Sequence, residues 1–287
     1  MLIGVVRDEM THLPHFLAHH RALGVSRFAF VDNRSVDGTR DFLLAQPDCD
    51  VYAHDGGWLD AACGAVWRNL LIVRYAAAPW HLGIDADELT VYDGWPGRGI
   101  DEAVAALRAA GRRCGTGLML DMYGAGPILT TRVAPGQGLL DACPWFDGDG
   151  YTFDMPPDGH TGPPMLNIRG GPEMRAVRQR SDFGWLAKNA LIIEPGILFR
   201  NPHALEPEAL NFTHPQLALL HVRWFDHFAG KLERLRGWRQ HTAGSIDAYE
   251  SVGARLLAEP SFSFYYPGSV QLESGRQLVE LGLISPL

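Results

Sequence analysis

The chain has 287 residues, of which 46% are hydrophobic and 20% are charged, and its formal net charge at pH 7 is −8. This balance is that of a globular protein with one large or two small domains, and it excludes a disordered chain, a coiled coil and a fibrous repeat. The acidic excess also argues against binding to nucleic acid, because such binding depends on neutralising phosphate charges.

The first 92 residues alternate short apolar runs with segments of helical periodicity. The predicted strands lie at 2–6, 27–32, 51–54 and 80–85, and the predicted helices at about 11–24, around 42–44 and at 60–77. In the last helix, Val66, Leu70 and Val73 share one face. This alternation predicts an α/β fold with a mainly parallel central sheet and helices on both faces. Right-handed crossovers then bring the carboxyl ends of the strands to one edge.

The remainder of the chain is less regular. A helix is predicted at about 101–110 and a strand at 117–123, and glycine and proline are then frequent from 124 to 172. Such a composition predicts long functional loops. Later strands are predicted at 165–169, 190–199 and 217–224, and helices at about 225–240 and 246–258. We therefore expect a loop-rich second half and a helical C-terminus.

The sequence also bears on location. Every window of about 18 residues is interrupted by charges, so no transmembrane segment is predicted. The apolar run at the start ends at Arg7, which is shorter than a secretory signal requires. The four cysteines form no CxxC pair, which disfavours a structural zinc site. Together these features predict a reduced, cytoplasmic protein.

The sharpest local signal is Asp85-Ala86-Asp87-Glu88, at the end of the fourth predicted strand. Three carboxylates in four residues, where the chain leaves the sheet, form a hard, oxygen-rich site. Mg²⁺ or Mn²⁺ suits such a site, because these ions commonly bridge one or two carboxylates to substrate phosphates. The alternative is a solvated acidic turn.

Two further signals are weaker. Asp32 and Asn33 end the second predicted strand, where they could accept hydrogen bonds from a base or a ribose. The alternative is that Asn33 only forms turn and cap hydrogen bonds. Arg68 could be a bidentate donor near a diphosphate, or a surface arginine on an amphipathic helix.

Taken together, the motifs resemble a known family. They are VRDEMTHLPHFLAHHRALGV (6–25), FAFVDNRSVDGT (28–39), Arg68-Asn69 and WHLGIDADELTVY (80–92), and LDMYGAGP (120–127), RGGPEMR (169–175) and LLHVRWFDHF (219–228) follow them. Their order and spacing are similar to those of bacterial family 2-type glycosyltransferases with the GT-A fold, in a subgroup with affinities to family 92. The chain departs from that family at Asp8, where the opening motif usually has Asn.

The resemblance implies a division of the chain. Residues 1–228 would form the GT-A domain, with a nucleotide-binding half at 1–123 and an acceptor-binding half at 124–228, and 229–287 would be a helical extension. The implied reaction is the metal-dependent, inverting transfer of a sugar from a nucleotide-diphosphate sugar to a glycan or glycolipid hydroxyl. Manganese or magnesium would stabilise the departing nucleotide.

The resemblance also implies roles for individual residues. The nucleotide-binding residues would be Arg7, Glu9, Asp32, Asn33, Arg68 and Asp85, and the metal ligands would be Asp85, Asp87 and His221. Family 2 enzymes usually carry the catalytic base tens of residues after the acidic motif, and the candidates here are Asp121, Glu173, Asp182 and His203. We expect Asp121 first, because it lies in an apolar strand that leads to the cleft, then Asp182, then Glu173. A buried capping carboxylate is the alternative for Asp121. Glu173 stands where similar sequences more often have Arg.

Other interpretations remain open. A nucleotidyltransferase usually has a glycine-rich, basic loop after its first strand, and the segment 6–14 contains no glycine. A degenerate transferase that binds a glycan or nucleotide without turnover is a second alternative. The basic residues of the predicted helix at 225–240 fit a solvated face. The alternative is that they contact anionic lipid headgroups at the inner face of a membrane, if the acceptor is lipid-linked. These basic residues are Lys231, Arg234, Arg236 and Arg239.

Overall fold

The computed structural model describes residues 1–156, 158–160, 162, 164–177, 185–238 and 243–287. Asp182 and Arg239 lie outside the described residues. The strands are β1 (Leu2–Val6), β2 (Phe28–Asp32), β3 (Cys49–Ala53), β4 (His81–Gly83), β5 (Glu88–Tyr92), β6 (Cys114–Tyr123), β7 (Trp145–Asp147), β8 (Thr152–Asp154), β9 (Asn167–Arg169), β10 (Ala187–Ile192), β11 (Leu198–Phe199), β12 (Leu205–Glu206), β13 (Leu217–Trp224) and β14 (Ser269–Gln271). The helices are α1 (Leu13–Ala22), α2 (Thr39–Leu44), α3 (Ala65–Arg74), α4 (Ile100–Ala109), α5 (Leu139–Ala142), α6 (Gly171–Ala176), α7 (Phe228–Trp238), α8 (Ala243–Ala258) and α9 (Gly275–Glu280).

The described strands build a central sheet of ten strands and two small two-stranded sheets. At one end of the central sheet, β3, β2, β1 and β4 run parallel in that order. The next strand, β10, is antiparallel to β4 and to β6. Strand β13 is parallel to β6 and antiparallel to β5. The predicted α/β fold class is thereby confirmed.

Helices cover both faces of the parallel strands because alternate residues of each strand point to opposite faces. In β1, Leu2 and Val6 belong to one apolar core, which also contains residues of α1 and α4. Ile3 and Val5 belong to a second core, which contains residues of α3. A strand that is buried on both faces reads as a continuous apolar run, as LIGVV does.

Helix α3 differs from the prediction in length and in orientation. It begins at Ala65 rather than near residue 60, because Ala62, Cys63 and Gly64 have positive φ angles that interrupt a helix. The predicted apolar face is exposed to solvent, with relative exposures of 47% for Val66, 60% for Leu70 and 68% for Val73. The buried residues of the helix are Ala65, Trp67, Arg68, Leu71 and Ile72.

The C-terminal residues add to the central sheet as well as forming helices. Strand β14 pairs antiparallel with β7, and the backbone N–H of Gly275 at the start of α9 donates to the carbonyl of Trp95. Residues 88–92, read from the sequence only as the continuation of the acidic motif, form β5 and pair with β13. Within the described residues, no helix has both the length and the apolar character needed to cross a membrane.

Candidate functional site

The candidate site lies at the carboxyl ends of the parallel strands. Val6, the last residue of β1, is in register with Asp32, the last residue of β2. Arg7 and Glu9 follow β1, and the acidic motif follows β4. Because these strands are parallel, the residues that follow them lie along one edge of the sheet. That edge holds the residues that the family resemblance implies for the nucleotide and the metal.

Asp85, the first carboxylate of the acidic motif, is held by two cations. One is Arg68, which donates to Oδ1. The other is Lys188 of β10, whose Nζ lies 2.7 Å from Asp85 Oδ2 and 2.7 and 2.8 Å from the two carboxylate oxygens of Glu88. Burial by itself would raise the pKa of Asp85, but Lys188 and Arg68 hold that pKa well below its usual range. The Asp85 carboxylate is therefore ionised at neutral pH.

Arg68 is fully buried, so it is not a surface arginine on an amphipathic helix. Its guanidinium carbon lies 5.8 Å from the centre of the Phe199 ring. Its Nε and Nη1 have no hydrogen-bond partner among the described residues. Buried donors normally find an acceptor, so Nε and Nη1 leave hydrogen-bonding capacity of Arg68 unused next to its ion pair with Asp85.

Asp87, the second carboxylate of the motif, faces two basic side chains. The Nζ of Lys231 lies 2.9 Å from its Oδ2, and Nε2 of His221 lies 3.5 Å from the same oxygen. On the other side of the ring, Nδ1 of His221 lies 3.0 Å from Oδ1 of Asp121. Burial and Arg223 would lower the pKa of His221, but Asp87 and Asp121 raise it to about 9. His221 is thus an imidazolium at neutral pH.

The candidate bases Asp121 and Glu173 share one cation. Arg223 donates to both oxygens of Asp121, at 3.1 and 3.2 Å, and to Oε2 of Glu173 at 3.1 Å. Burial would raise the pKa of Asp121, but Arg223 and His221 lower it to about 2. A carboxylate in these surroundings is a weak base. The choice of base among Asp121, Glu173 and Asp182 stays a prediction.

The loop after β1 reaches the same cluster. Oε2 of Glu9 lies 2.7 Å from Nδ1 of His12, and its Oε1 lies 3.6 Å from Nζ of Lys231. The guanidinium of Arg7 lies 4.4 Å from the centre of the Trp238 ring. Helix α7 therefore covers Arg7 and Glu9, two residues implied for the nucleotide.

The backbone of that loop is bound by the loop after β2 and by the first residue of α2. The N–H groups of Asp8 and Glu9 donate to the hydroxyls of Ser35 and Thr39, at 3.0 and 2.9 Å. The N–H group of Met10 donates to Oδ2 of Asp37 at 3.0 Å. Consecutive donors that could cradle phosphates are thus occupied within the protein.

Asp32 and Asn33 also have partners within the protein. Arg40 donates from Nε to Oδ2 of Asp32 at 2.8 Å. The side chain of Asn33 donates to the carbonyls of His54 and Gly56, at 2.8 and 3.0 Å. The contacts of Asn33 join the loop after β2 to the loop after β3 and are not local turn or cap hydrogen bonds. Oδ1 of each residue is buried without a partner among the described residues, and a role toward base or ribose stays a prediction.

Sequence reasoning missed three cations of the site. Lys188 lies just before the predicted apolar strand at 190–199. A lysine next to such a run is a signal that a buried acid is near. Arg223 alternates with His221 along β13. Lys231 was expected on a solvated basic face, and that expectation is wrong for this residue, because its ammonium lies against Asp87. Arg234 and Arg236 of the same helix are exposed.

The arrangement of these residues does not fit the predicted divalent ion. Each carboxylate of the acidic motif already contacts a permanent cation, which is Arg68, Lys188 or Lys231. Within the described ranges, no cluster of three or more His, Cys, Asp or Glu side chains could hold a metal ion. Both ring nitrogens of His221, a predicted ligand, already face carboxylates, Nε2 at 3.5 Å from Asp87 and Nδ1 at 3.0 Å from Asp121.

The order of the parallel strands and the polar residues at their carboxyl ends define an α/β protein with a Rossmann-like arrangement of parallel strands. No protein-family model matches the chain, and no curated protein matches it. Among solved structures, a 4-diphosphocytidyl-2C-methyl-D-erythritol synthase is similar, at 20% identity and a TM-score of 0.28, over 47% of this chain and 63% of that chain.

Two other structures are similar over more of the chain. A putative glucose-1-phosphate thymidylyltransferase from Bacillus anthracis has 8% identity and a TM-score of 0.32, over 88% of this chain and 84% of its own. An inositol-1-phosphate CTP transferase from T. maritima has 10% identity and a TM-score of 0.28, over 99% of this chain and 94% of its own. With TM-scores this low, these similarities carry no argument about activity.

Proposed function

We propose that the protein is a glycosyltransferase that moves a sugar, with inversion, from a nucleotide-diphosphate sugar to a hydroxyl group of a glycan or glycolipid. One observation carries the proposal. The acidic motif after β4 lies at the edge where Arg68 keeps unused donors, and His221 links Asp87 to Asp121. The proposal needs carboxylates that accept hydrogen bonds from hydroxyl groups and cations that bind a diphosphate, and this edge holds both kinds of side chain.

The reaction requires one bond to form as another breaks. The acceptor oxygen attacks the anomeric carbon, and the bond from that carbon to the β-phosphate oxygen breaks. A base takes the acceptor proton, and the nucleoside diphosphate leaves with its negative charge. We assign Arg68 to binding the diphosphate. We assign Asp85, which pairs with Arg68, to binding the ribose. Fixed cations at the departing group lower the barrier because they need no rearrangement during the reaction.

A nucleotidyltransferase fits the loop after β1 less well. Such an enzyme needs backbone N–H groups for a triphosphate. Here the N–H groups of Asp8, Glu9 and Met10 donate to side chains of the following loop. The loop would have to give up three hydrogen bonds before it could bind phosphates.

A donor screen tests the proposal. The protein is incubated with UDP-, GDP-, CDP- and dTDP-sugars, and the released nucleoside diphosphate is measured. We expect hydrolysis of at least one donor. Asp87→Asn should reduce that rate by about 100-fold or more, because it removes charge at the centre of the site. Glu273→Gln, an exposed carboxylate change, is the matched control and should leave the rate unchanged.

Two results would contradict the proposal. Release of pyrophosphate from a nucleoside triphosphate and a sugar phosphate, without donor hydrolysis, would indicate a nucleotidyltransferase. Binding of a nucleoside diphosphate without turnover of any donor or acceptor mixture would indicate a non-catalytic binding module.

A further inference from the structure

Lys231 enters the candidate site from a part of the chain beyond the motifs of the family resemblance. It lies on α7, and its side chain is 15% exposed. Its ammonium lies 2.9 Å from Asp87 Oδ2 and 3.6 Å from Glu9 Oε1. It therefore connects the loop after β4 with the loop after β1, across the edge where a nucleotide would lie.

The position of Lys231 is set by the packing of α7. Phe228, Leu232 and Leu235 of that helix are buried in an apolar cluster with Trp224 and Val252. Lys231 lies three residues after Phe228 and four before Leu235, so it stands beside the buried face of the helix, and its ammonium reaches Asp87. The Lys231 ammonium is therefore held within the site, whereas Arg234 on the same helix is exposed to solvent.

The charges around the acidic motif are balanced by side chains. Arg68 and Lys188 hold Asp85, Lys188 also holds Glu88, and Lys231 holds Asp87. Three unpaired carboxylates would repel a diphosphate, and neutralising them is the work that a divalent ion does in an acidic phosphate site. Here Lys231 does that work at Asp87.

We propose that the Lys231 ammonium binds the diphosphate of the donor directly and supplies the positive charge that the acidic motif predicts for a divalent ion. This inference rests on the proposed function. An ammonium has three N–H donors, and Asp87 is its acceptor within hydrogen-bond distance among the described residues. We assign the remaining donors to the phosphate oxygens. Lys231 keeps its proton throughout. Its N–H groups donate hydrogen bonds to the β-phosphate while the bond from the β-phosphate oxygen to the anomeric carbon breaks.

Calorimetric titration with UDP, GDP, CDP and dTDP in the presence of EDTA tests the inference. The wild type should bind at least one of them without a divalent ion. Lys231→Met should weaken that binding by about tenfold or more, because a hydrogen bond to a charged group is lost. Binding of the corresponding nucleoside should stay within about twofold, since the nucleoside has no diphosphate.

Matched variants separate contact from structure. Lys231→Arg keeps the positive charge at a similar reach. Its diphosphate affinity should therefore stay within a few-fold of the wild type. Arg234→Gln removes an exposed charge from the same helix and should leave diphosphate affinity unchanged. Lys231→Gln is the second neutral variant, and thermal unfolding of each variant identifies any that does not fold.

Several results would overturn the inference. If the wild type binds the diphosphates only with Mn²⁺ or Mg²⁺, the ion does the work assigned to Lys231, and the proposed function still stands. If a folded neutral variant binds the diphosphate as tightly as the wild type, or more tightly, Lys231 only fills the space at Asp87. If no diphosphate binds under either condition, the proposed function falls with the inference.

Discussion

The two halves of the sheet contribute different chemistry to the site. The parallel half brings the three carboxylates of the contiguous motif and one cation, Arg68 of α3. The later elements β10, β13 and α7 bring the other cations, Lys188, Arg223 and Lys231, while β6 and α6 add the carboxylates of Asp121 and Glu173. Lys188 is 103 positions from Asp85 along the chain, and Lys231 is 144 positions from Asp87. Acids that are close in sequence are thus neutralised by bases that only the fold brings near.

The largest effect is expected at Lys188, which links the two halves. Lys188→Met leaves the buried carboxylate of Glu88 without its cation, and we expect a loss of about 3–5 kcal/mol in the free energy of unfolding. Urea denaturation measures this loss. Adding Glu88→Gln should recover part of it, because the unpaired charge is removed. If the free energy of unfolding of Lys188→Met lies within about 1 kcal/mol of the wild-type value, the stability of the protein does not depend on this contact between the two halves.

A smaller effect is expected within the parallel half, at α3. Leu71 is buried and Leu70 is exposed, although they are neighbours in an apolar run. Leu71→Ala should cost about 2–4 kcal/mol of unfolding free energy, because it leaves a cavity. Leu70→Ala should cost about 0.5 kcal/mol or less. Equal losses in chemical denaturation would contradict the observed orientation of α3.

The pH dependence of stability tests the contact of His221 with the acids. The surroundings of His221 raise its pKa to about 9, above the model-peptide value of 6.5. This stabilisation is complete below about pH 6.5 and is lost as the pH rises through about 9. We expect the wild type to lose about 2–3 kcal/mol over that window, relative to His221→Gln. Parallel curves for the two proteins would refute the charged state of His221.

Several elements of the fold follow from local patterns. The predicted strand at 217–224 coincides with β13 (Leu217–Trp224), and the alternation of strands and helices up to residue 85 is present. The position of the acidic motif after a buried strand is also as predicted. These features depend on periodicity and on strand ends, which a short stretch of sequence contains.

The orientation of α3 could not be obtained in this way. Both faces of that helix carry apolar residues, so periodicity does not say which face is buried. The fold buries the face with Arg68, where the guanidinium meets Asp85. Likewise, the helix predicted at 225–240 carries three arginines besides Lys231, so the lysine is expected to be solvated until the tertiary structure places it beside an acid.

The sequence by itself determined the α/β class and the position of the acidic motif after a buried strand, at the sheet edge where we propose the site. Only the tertiary structure decided which base neutralises which acid. The physical reason is that an ion pair depends on a separation of about 3–4 Å in space, and the distance along the chain does not constrain it. The chemistry of this site depends on that pairing, because it decides whether the acids face a metal ion or a lysine.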